Sequence, residues 1–309
     1  MKKICCLILS LLFLSTAVSG CAFSPSDDPD SLSIVTTTFP PYDFARAVAG
    51  DFCDVTMLID PGTETHSYDP SPKDIRKIQN ADLFLYGGGE SDAWMDNILS
   101  SIDTDKVTVI AMTDLIPPHR MEEHVHEDHE HEDGIYDEHV WTSPYHAITI
   151  VEAIRDALRE IDPTNADVYT ENAAAYTAEI MVLAEDFAET AENSKRDRIV
   201  FADRYPFFYF SEAFGLRYTA AFAGCAHETE PGAQTIAALI DLVKAENIPA
   251  VFYIEFSDRR LANTIAEATG CETLLFHSCH NVTRAEFDAG VTYVSLMQQN
   301  LHNLRKALS

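Results

Sequence analysis

Short apolar runs alternate with segments of helical periodicity along most of this chain. Runs rich in Val, Ile, Leu, Phe and Tyr predict strands in two groups of four, at 33–38, 55–59, 83–86 and 107–111, and at 198–202, 217–222, 250–254 and 273–276. Each run is followed by a helical segment. Regular β/α alternation of this kind predicts parallel sheets, so the fold class is α/β with two small parallel-sheet (β/α)4 domains.

Several of the helices carry recognisable signals. Ser71 followed by Pro72 is an N-cap with proline at the first helical position, so a helix is predicted to begin there. Apolar residues at helical spacing from Ile148 to Ile161 predict the helix that closes the first half. In the second half, helices are predicted at 207–214, 235–246, 260–268 and 292–307.

A long amphipathic segment separates the two halves. Residues 165–194 contain neither Pro nor Gly, and apolar residues recur every three or four positions: Tyr169, Ala173, Tyr176, Ile180, Leu183 and Phe187. A helix of that length spans about 45 Å, which is enough to join two domains as a rigid connector. We therefore expect a first domain at 32–162, a connecting helix at 163–194 and a second domain at 195–309.

The N-terminus has the pattern of an export signal. Two lysines precede an apolar stretch at 4–14, which is too short to cross a bilayer comfortably, and small residues lead directly into Cys21. This arrangement resembles the lipobox of bacterial lipoproteins. The resemblance predicts a signal peptide at 1–20, lipidation of Cys21, a polar tether at 21–31 and an extracytoplasmic protein anchored to the cell membrane.

The net charge and the cysteine content limit the possible partners and the possible metal ligands. A formal net charge of −29 argues against nucleic acid or anionic lipid as a partner and is compatible with attracting cations. The cysteines of the body, Cys53, Cys225, Cys271 and Cys279, form no CxxC zinc pattern. In an oxidising compartment they are predicted to form one or two disulfides or to remain buried thiols, in preference to binding metal as thiolates.

Polar side chains that suit a metal follow several predicted strands. In a parallel α/β sheet, ligands bind at the loops that leave the carboxyl ends of the strands. These loops contain His66, His139, Asp203, Glu228, Glu230, Glu255, His277 and His280. Two or three neutral imidazoles with one carboxylate suit Zn²⁺, so the loops predict a metal site between the domains.

The segment 118–139 has a different composition. Its histidines alternate with acidic residues and there is almost no apolar residue, so it cannot form a packed core. The histidines are His119, His124, His126, His129 and His131. A His-rich, acidic segment is typical of metal capture, and it is expected to bind weakly and heterogeneously.

With these features in place, the whole mature chain resembles the zinc and manganese solute-binding proteins of ABC importers. The matching stretches are 57–62 and 66–70, then 138–141 with Pro144, and 293–304 with Asn300. The lipobox, the long connecting helix and the His-rich loop fit as well. Family members with such a loop are usually zinc-specific, so the resemblance implies Zn(II) as the transported ligand, with Mn(II) as the alternative.

The resemblance also implies a ligand set. Its first two ligands correspond to His66 and His139, and its last acidic ligand aligns approximately with His277. The histidine that many members have after the first strand of the second domain is absent or replaced here. We therefore expect a carboxylate or a water to complete the site, with Glu228 as the first choice of carboxylate and Asp203 as the second. No metal role is expected for His146, His227, His280 or His302.

Cys225 and Cys279 flank two of the loops that are expected to form the site. We therefore expect a disulfide between them that braces the second-domain half of the site.

The resemblance implies capture of Zn(II) between the domains and delivery to an ABC permease and its ATPase. The protein is expected to act as a monomer and not as an enzyme. The alternatives are a manganese-binding member, a secreted zinc-dependent hydrolase, and a surface adhesin or metal buffer without a transporter. The chain has no HExxH motif and no nucleophile elbow, which argues against the hydrolase.

Overall fold

The computed structural model describes residues 31–66, 68–89, 92–100, 102–103, 106–118, 137–222 and 231–309. The predicted signal peptide, Cys21 and most of the tether lie outside these residues. Among the helices of the described ranges, none is long and apolar enough to cross a membrane.

The first domain contains a four-stranded parallel sheet with the order β2-β1-β3-β4. Its strands are β1 (Leu32–Thr36), β2 (Cys53–Met57), β3 (Leu83–Tyr86) and β4 (Thr108–Ala111). Its helices are α1 (Phe39–Ala49), α2 (Pro72–Gln79), α3 (Met95–Leu99) and α4 (Pro144–Ile161). Helix α2 begins where the sequence predicts, because the Ser71 side chain accepts a hydrogen bond from the Asp74 N–H in a capping box.

The second domain repeats this topology, with the strand order β6-β5-β7-β8 and all pairs parallel. Its strands are β5 (Arg198–Phe201), β6 (Arg217–Ala220), β7 (Ala250–Tyr253) and β8 (Glu272–Leu275). Its helices are α6 (Phe208–Phe214), α7 (Ala233–Ala245), α8 (Arg260–Thr269), α9 (Arg284–Asp288) and α10 (Tyr293–Ala307). The predicted fold class, two parallel-sheet α/β domains, is confirmed.

Helix α5 (Ala166–Asn193) connects the domains and has 28 residues, which corresponds to about 42 Å. Near its start, the Asn172 side chain donates to the Val48 carbonyl of α1. Near its end, the Phe187 ring packs 5.0 Å from Phe210 of α6. One apolar core includes residues of both domains and the buried face of α5, so the helix is fixed to both sheets along its length.

A buried carboxylate joins three helices at this junction. Asp43 of α1 is 1 % exposed and accepts hydrogen bonds from the Tyr176 hydroxyl of α5 (2.5 Å) and the Tyr293 N–H of α10 (2.8 Å). Arg46 supplies the countercharge at 2.5 Å. Because α1 and α10 belong to different domains, this polar cluster fixes their relative position together with the apolar core.

Candidate metal centre

Three histidine side chains meet at the carboxyl ends of the strands, where the two domains face each other. His66 follows β2, His139 lies immediately before α4, and His280 follows β8. One ring nitrogen from each lies within 4.8 Å of the others. Within the described residues, no other set of three or more His, Cys, Asp or Glu side chains approaches in this way. We call these residues the histidine triad.

The presence of His280 in the triad corrects the sequence-based expectation, which assigned this position to His277. His277 is 1 % exposed, and its main chain is held by Asn300 of α10 through two hydrogen bonds of 2.7 and 2.8 Å. Its Nδ1 accepts the Cys279 N–H at 2.9 Å and lies 3.7 Å from Glu255. Cys279 then adopts a left-handed conformation, with φ of 63°, so the chain turns and His280 joins the triad instead.

Each triad histidine has its Nδ1 beside a protein side chain. His139 Nδ1–H donates to Asp137 at 2.6 Å, and the same carboxylate accepts the His139 main-chain N–H at 2.9 Å. His66 Nδ1 lies 3.6 Å from the Glu138 carboxylate. His280 Nδ1 lies 3.3 Å from the Thr65 hydroxyl. Side chains beside the second ring nitrogen orient metal-binding histidines, so the triad has the surroundings of a metal site.

Burial favours the neutral form of the third histidine. His280 is 8 % exposed, and burial, together with the neighbouring His139 and His66 rings, holds its pKa well below the ordinary value. The Trp141 ring packs 5.2 Å from His139 and 5.0 Å from His280, which gives the site an apolar wall. A neutral imidazole keeps the lone pair that a metal ion requires.

The triad opens onto a cavity of about 590 Å³ between the domains. Asp203, the second-choice carboxylate, lines this cavity but is not part of the triad. It accepts main-chain N–H groups from Arg204 (2.9 Å) and Ile254 (3.4 Å). Burial raises the pKa of Asp203, and these hydrogen bonds oppose that shift. Arg204 lines the same wall, with its guanidinium 3.9 Å from Glu64.

Several predicted site residues lie outside the described ranges. They are Glu228, Cys225, the lipidation residue Cys21, and the capture-loop histidines His119, His124, His126, His129 and His131. Cys279 is described, and it is a free thiol buried completely in the core, rather than half of the predicted disulfide with Cys225. Its burial also raises the pKa of the thiol well above the ordinary value, which favours the protonated thiol.

A known protein family matches most of this chain. The ZnuA family, described as zinc-uptake complex component A periplasmic, matches residues 34–307. The chain belongs to this family. The family match spans both sheets and helix α5, and it includes all three histidines of the triad.

Individual relatives agree with the family match. The chain is 36% identical over 311 residues to the zinc-binding lipoprotein AdcA of Streptococcus pneumoniae, with 99% of this chain and 61% of the relative covered. It therefore spans about three fifths of the length of that relative. It is 30% identical to the high-affinity zinc uptake system protein ZnuA of Bacillus subtilis, with 97% and 96% of the two chains covered.

A solved structure supports the same fold. The Zn(II)-bound ZnuA-like domain of Streptococcus pneumoniae AdcA superimposes with a TM-score of 0.76 at 33% identity, covering 90% of this chain and 99% of that one. Its two-domain architecture is thus shared by the present chain over nearly the whole of the described region.

Proposed function

We propose that this protein is an extracytoplasmic solute-binding protein that captures Zn²⁺ between its two domains and delivers it to an ABC-type importer. The observation that carries the proposal is the histidine triad, in which His66, His139 and His280 come from three separate loops and bring their ring nitrogens within 4.8 Å of one another. The named zinc-binding relatives support the same metal.

The chemistry of the donors favours zinc over manganese. Three neutral imidazoles are borderline donors that suit Zn²⁺, whereas Mn²⁺ prefers sites richer in carboxylate and water oxygen. Asp137 and Glu138 lie beside two of the rings and supply negative charge without taking ligand positions from the imidazoles. We propose Glu228 as the fourth ligand, with Asp203 or water as the alternative.

The same proposal covers the features outside the described residues. The His-rich segment collects Zn²⁺, and lipidation at Cys21 holds the protein at the membrane surface, close to the permease it serves. A permease and an ATPase are the partners this requires. The names of the relatives describe binding and uptake proteins, which supports transport rather than hydrolysis as the role of the metal.

Zinc affinity of single variants tests the site. We expect His66→Ala, His139→Ala and His280→Ala each to weaken Zn²⁺ binding by more than about 100-fold in competition with a chromophoric chelator, because each removes one ligand. The exposed His302→Ala is the matched control and should bind like the wild type. Wild-type affinity in all three triad variants would refute the site.

A second experiment tests delivery. Deletion of the gene should impair growth under zinc limitation, and the wild-type chain should restore that growth while the His139→Ala variant should not. Full growth of the deletion strain in zinc-depleted medium would contradict the transport role even if the triad bound zinc.

A further inference from the structure

The segment 278–282, which contains His280, belongs to the second domain by sequence but is hydrogen-bonded to the first. The Phe39 N–H at the start of α1 donates to the His280 carbonyl at 3.3 Å, and the Gly62 N–H donates to the Val282 carbonyl at 2.7 Å. The Trp141 indole N–H donates to the Ser278 carbonyl at 2.9 Å. These three donors come from three separate parts of the first domain.

Asn281 makes the most complete set of these contacts. It is 1 % exposed, and its side-chain amide donates to the Asp60 carbonyl at 3.1 Å and to the Thr63 carbonyl at 2.9 Å. Its Oδ1 accepts the Val282 N–H at 2.8 Å. The 60–63 turn leads directly into His66, so one buried amide joins the loops that carry two of the three histidines.

The hydrogen bonds of this segment to its own domain run through Ser278, whose hydroxyl donates to Glu255 and accepts the His280 N–H at 3.2 Å. The Ser278 N–H donates to Glu255 at 2.8 Å, and the left-handed residue Cys279 follows. Outside the segment 278–282 itself, the hydrogen bonds of residues 280–282 to other parts of the described chain go to the first domain, through Phe39, Gly62, Thr65 and the partners of Asn281. His280 is thus fixed relative to His66 and His139 by bonds that do not involve the second sheet.

We propose that Asn281 is a positioning residue that preassembles the histidine triad on the first domain before the metal arrives. The inference rests on the proposed role of the triad in binding Zn²⁺. In a mechanism in which each domain brings its own ligands, rotation of the second sheet would separate the histidines. In the preassembled site, a rotation that preserves the hydrogen bonds of segment 278–282 to the first domain leaves all three histidines together. Preassembly increases Zn²⁺ affinity because no conformational entropy is lost in ordering the loop that carries His280 when the metal binds.

Hydrogen exchange of the metal-free wild type tests the preassembly directly. The Gly62 and Val282 amides, both of which are donors in this network, should exchange slowly without metal, and saturating Zn²⁺ should change their exchange little. Fast exchange without metal and strong protection with Zn²⁺ would mean that the metal orders the segment. That result would overturn the preassembly while leaving zinc binding by the triad intact.

A pair of asparagine variants tests the role of Asn281. We expect Asn281→Ala to weaken Zn²⁺ binding by about 10- to 100-fold and to speed exchange of the Gly62 amide, whose acceptor is the Val282 carbonyl, in the metal-free protein, with Zn²⁺ restoring protection. Asn303→Ala is the matched control, because Asn303 also donates to a carbonyl, that of Leu275 at 2.8 Å, but within the second domain. It should lose stability without losing zinc affinity.

Two outcomes with the asparagine variants also contradict the inference, and both are distinct from failure of the proposed function. Equal zinc affinities for Asn281→Ala and the wild type would remove the positioning role. Equal losses in Asn281→Ala and Asn303→Ala would indicate a general loss of structure. If the wild type itself bound no zinc, or bound it as tightly as the His66→Ala variant, the proposed function would fail first.

Discussion

A buried carboxylate behind the triad gives a prediction with a definite sign. Asp92 is 7 % exposed and lies between β3 and α3, where it accepts the Gly88 N–H at 3.0 Å. Burial, as the largest cause, and the nearby charge of Glu138 raise its pKa to about 6, against the partly compensating hydrogen bonds from Gly88 and Gly87. Asp92 is thus ionised at neutral pH in a place that favours the neutral acid.

The size of the effect follows from the pKa. A rise from 3.8 to about 6 is roughly two units, and each unit is worth about 1.36 kcal/mol, so ionising Asp92 costs the folded state about 3 kcal/mol. The folded state binds this proton more tightly than the unfolded state. Its contribution to stability is therefore fully present below about pH 4 and is lost as the pH rises through about 6.

Asp92→Asn removes the charge but keeps an oxygen that can accept the Gly88 N–H. We expect the variant to be more stable than the wild type by about 2–3 kcal/mol at pH 7.5, and the difference to shrink to about 1 kcal/mol near pH 4.5. Urea denaturation of the metal-free protein at both pH values measures it, with Asp51→Asn as an exposed control. An Asp92→Asn protein no more stable than the wild type at pH 7.5 would refute the reasoning.

Two further substitutions test two other buried carboxylates, Asp43 and Asp137. Asp43→Ala leaves the Tyr176 hydroxyl and the first N–H of α10 without their acceptor. Urea denaturation should therefore show that the free energy of unfolding falls by about 3–5 kcal/mol. A decrease below about 1 kcal/mol would contradict the role of this cluster. Asp137→Asn weakens the hydrogen bond that orients His139, so chelator competition should show about 10- to 100-fold weaker Zn²⁺ binding. The control Asp288→Asn, at an exposed position, should bind Zn²⁺ like the wild type. Equal Zn²⁺ affinities for Asp137→Asn and the wild type would exclude a positioning role for Asp137.

Local sequence patterns predict the strands because each is a short apolar run with polar or glycine boundaries. β3 is predicted with the observed bounds, since Asp82 precedes its four apolar residues and Gly87 follows them. β2 is displaced by two residues, because the apolar Leu58 and Ile59 were included in the strand. Both are buried beyond the strand end, where their N–H groups donate to the Thr36 and Thr37 carbonyls. A prediction from the apolar run alone therefore places the end of this strand two residues too late.

The third member of the triad could not be chosen from the sequence. His277 and His280 occupy the same loop, and the pattern of residues around them does not say which ring faces the cleft. The choice depends on the left-handed turn at Cys279 and on contacts with residues distant in sequence, Asn300 on one side and the 60–63 turn on the other. The carboxylates beside His139 and His66 belong to Asp137 and Glu138, and the sequence analysis assigned neither of them a role at the site.

Preassembly of the triad has a consequence for how the metal leaves. If His280 is held on the first domain, moving the second sheet away removes the Asp203 wall of the cavity but does not pull the three imidazoles apart. The apolar core and the Asp43 cluster, which both join α5 to the two domains, further limit such movement. Release then requires either a change in the 278–282 segment or competing ligands that enter through the opened wall. Delivery to a permease, as proposed above, would therefore require action on the loop that Asn281 holds, and not only on the angle between the domains.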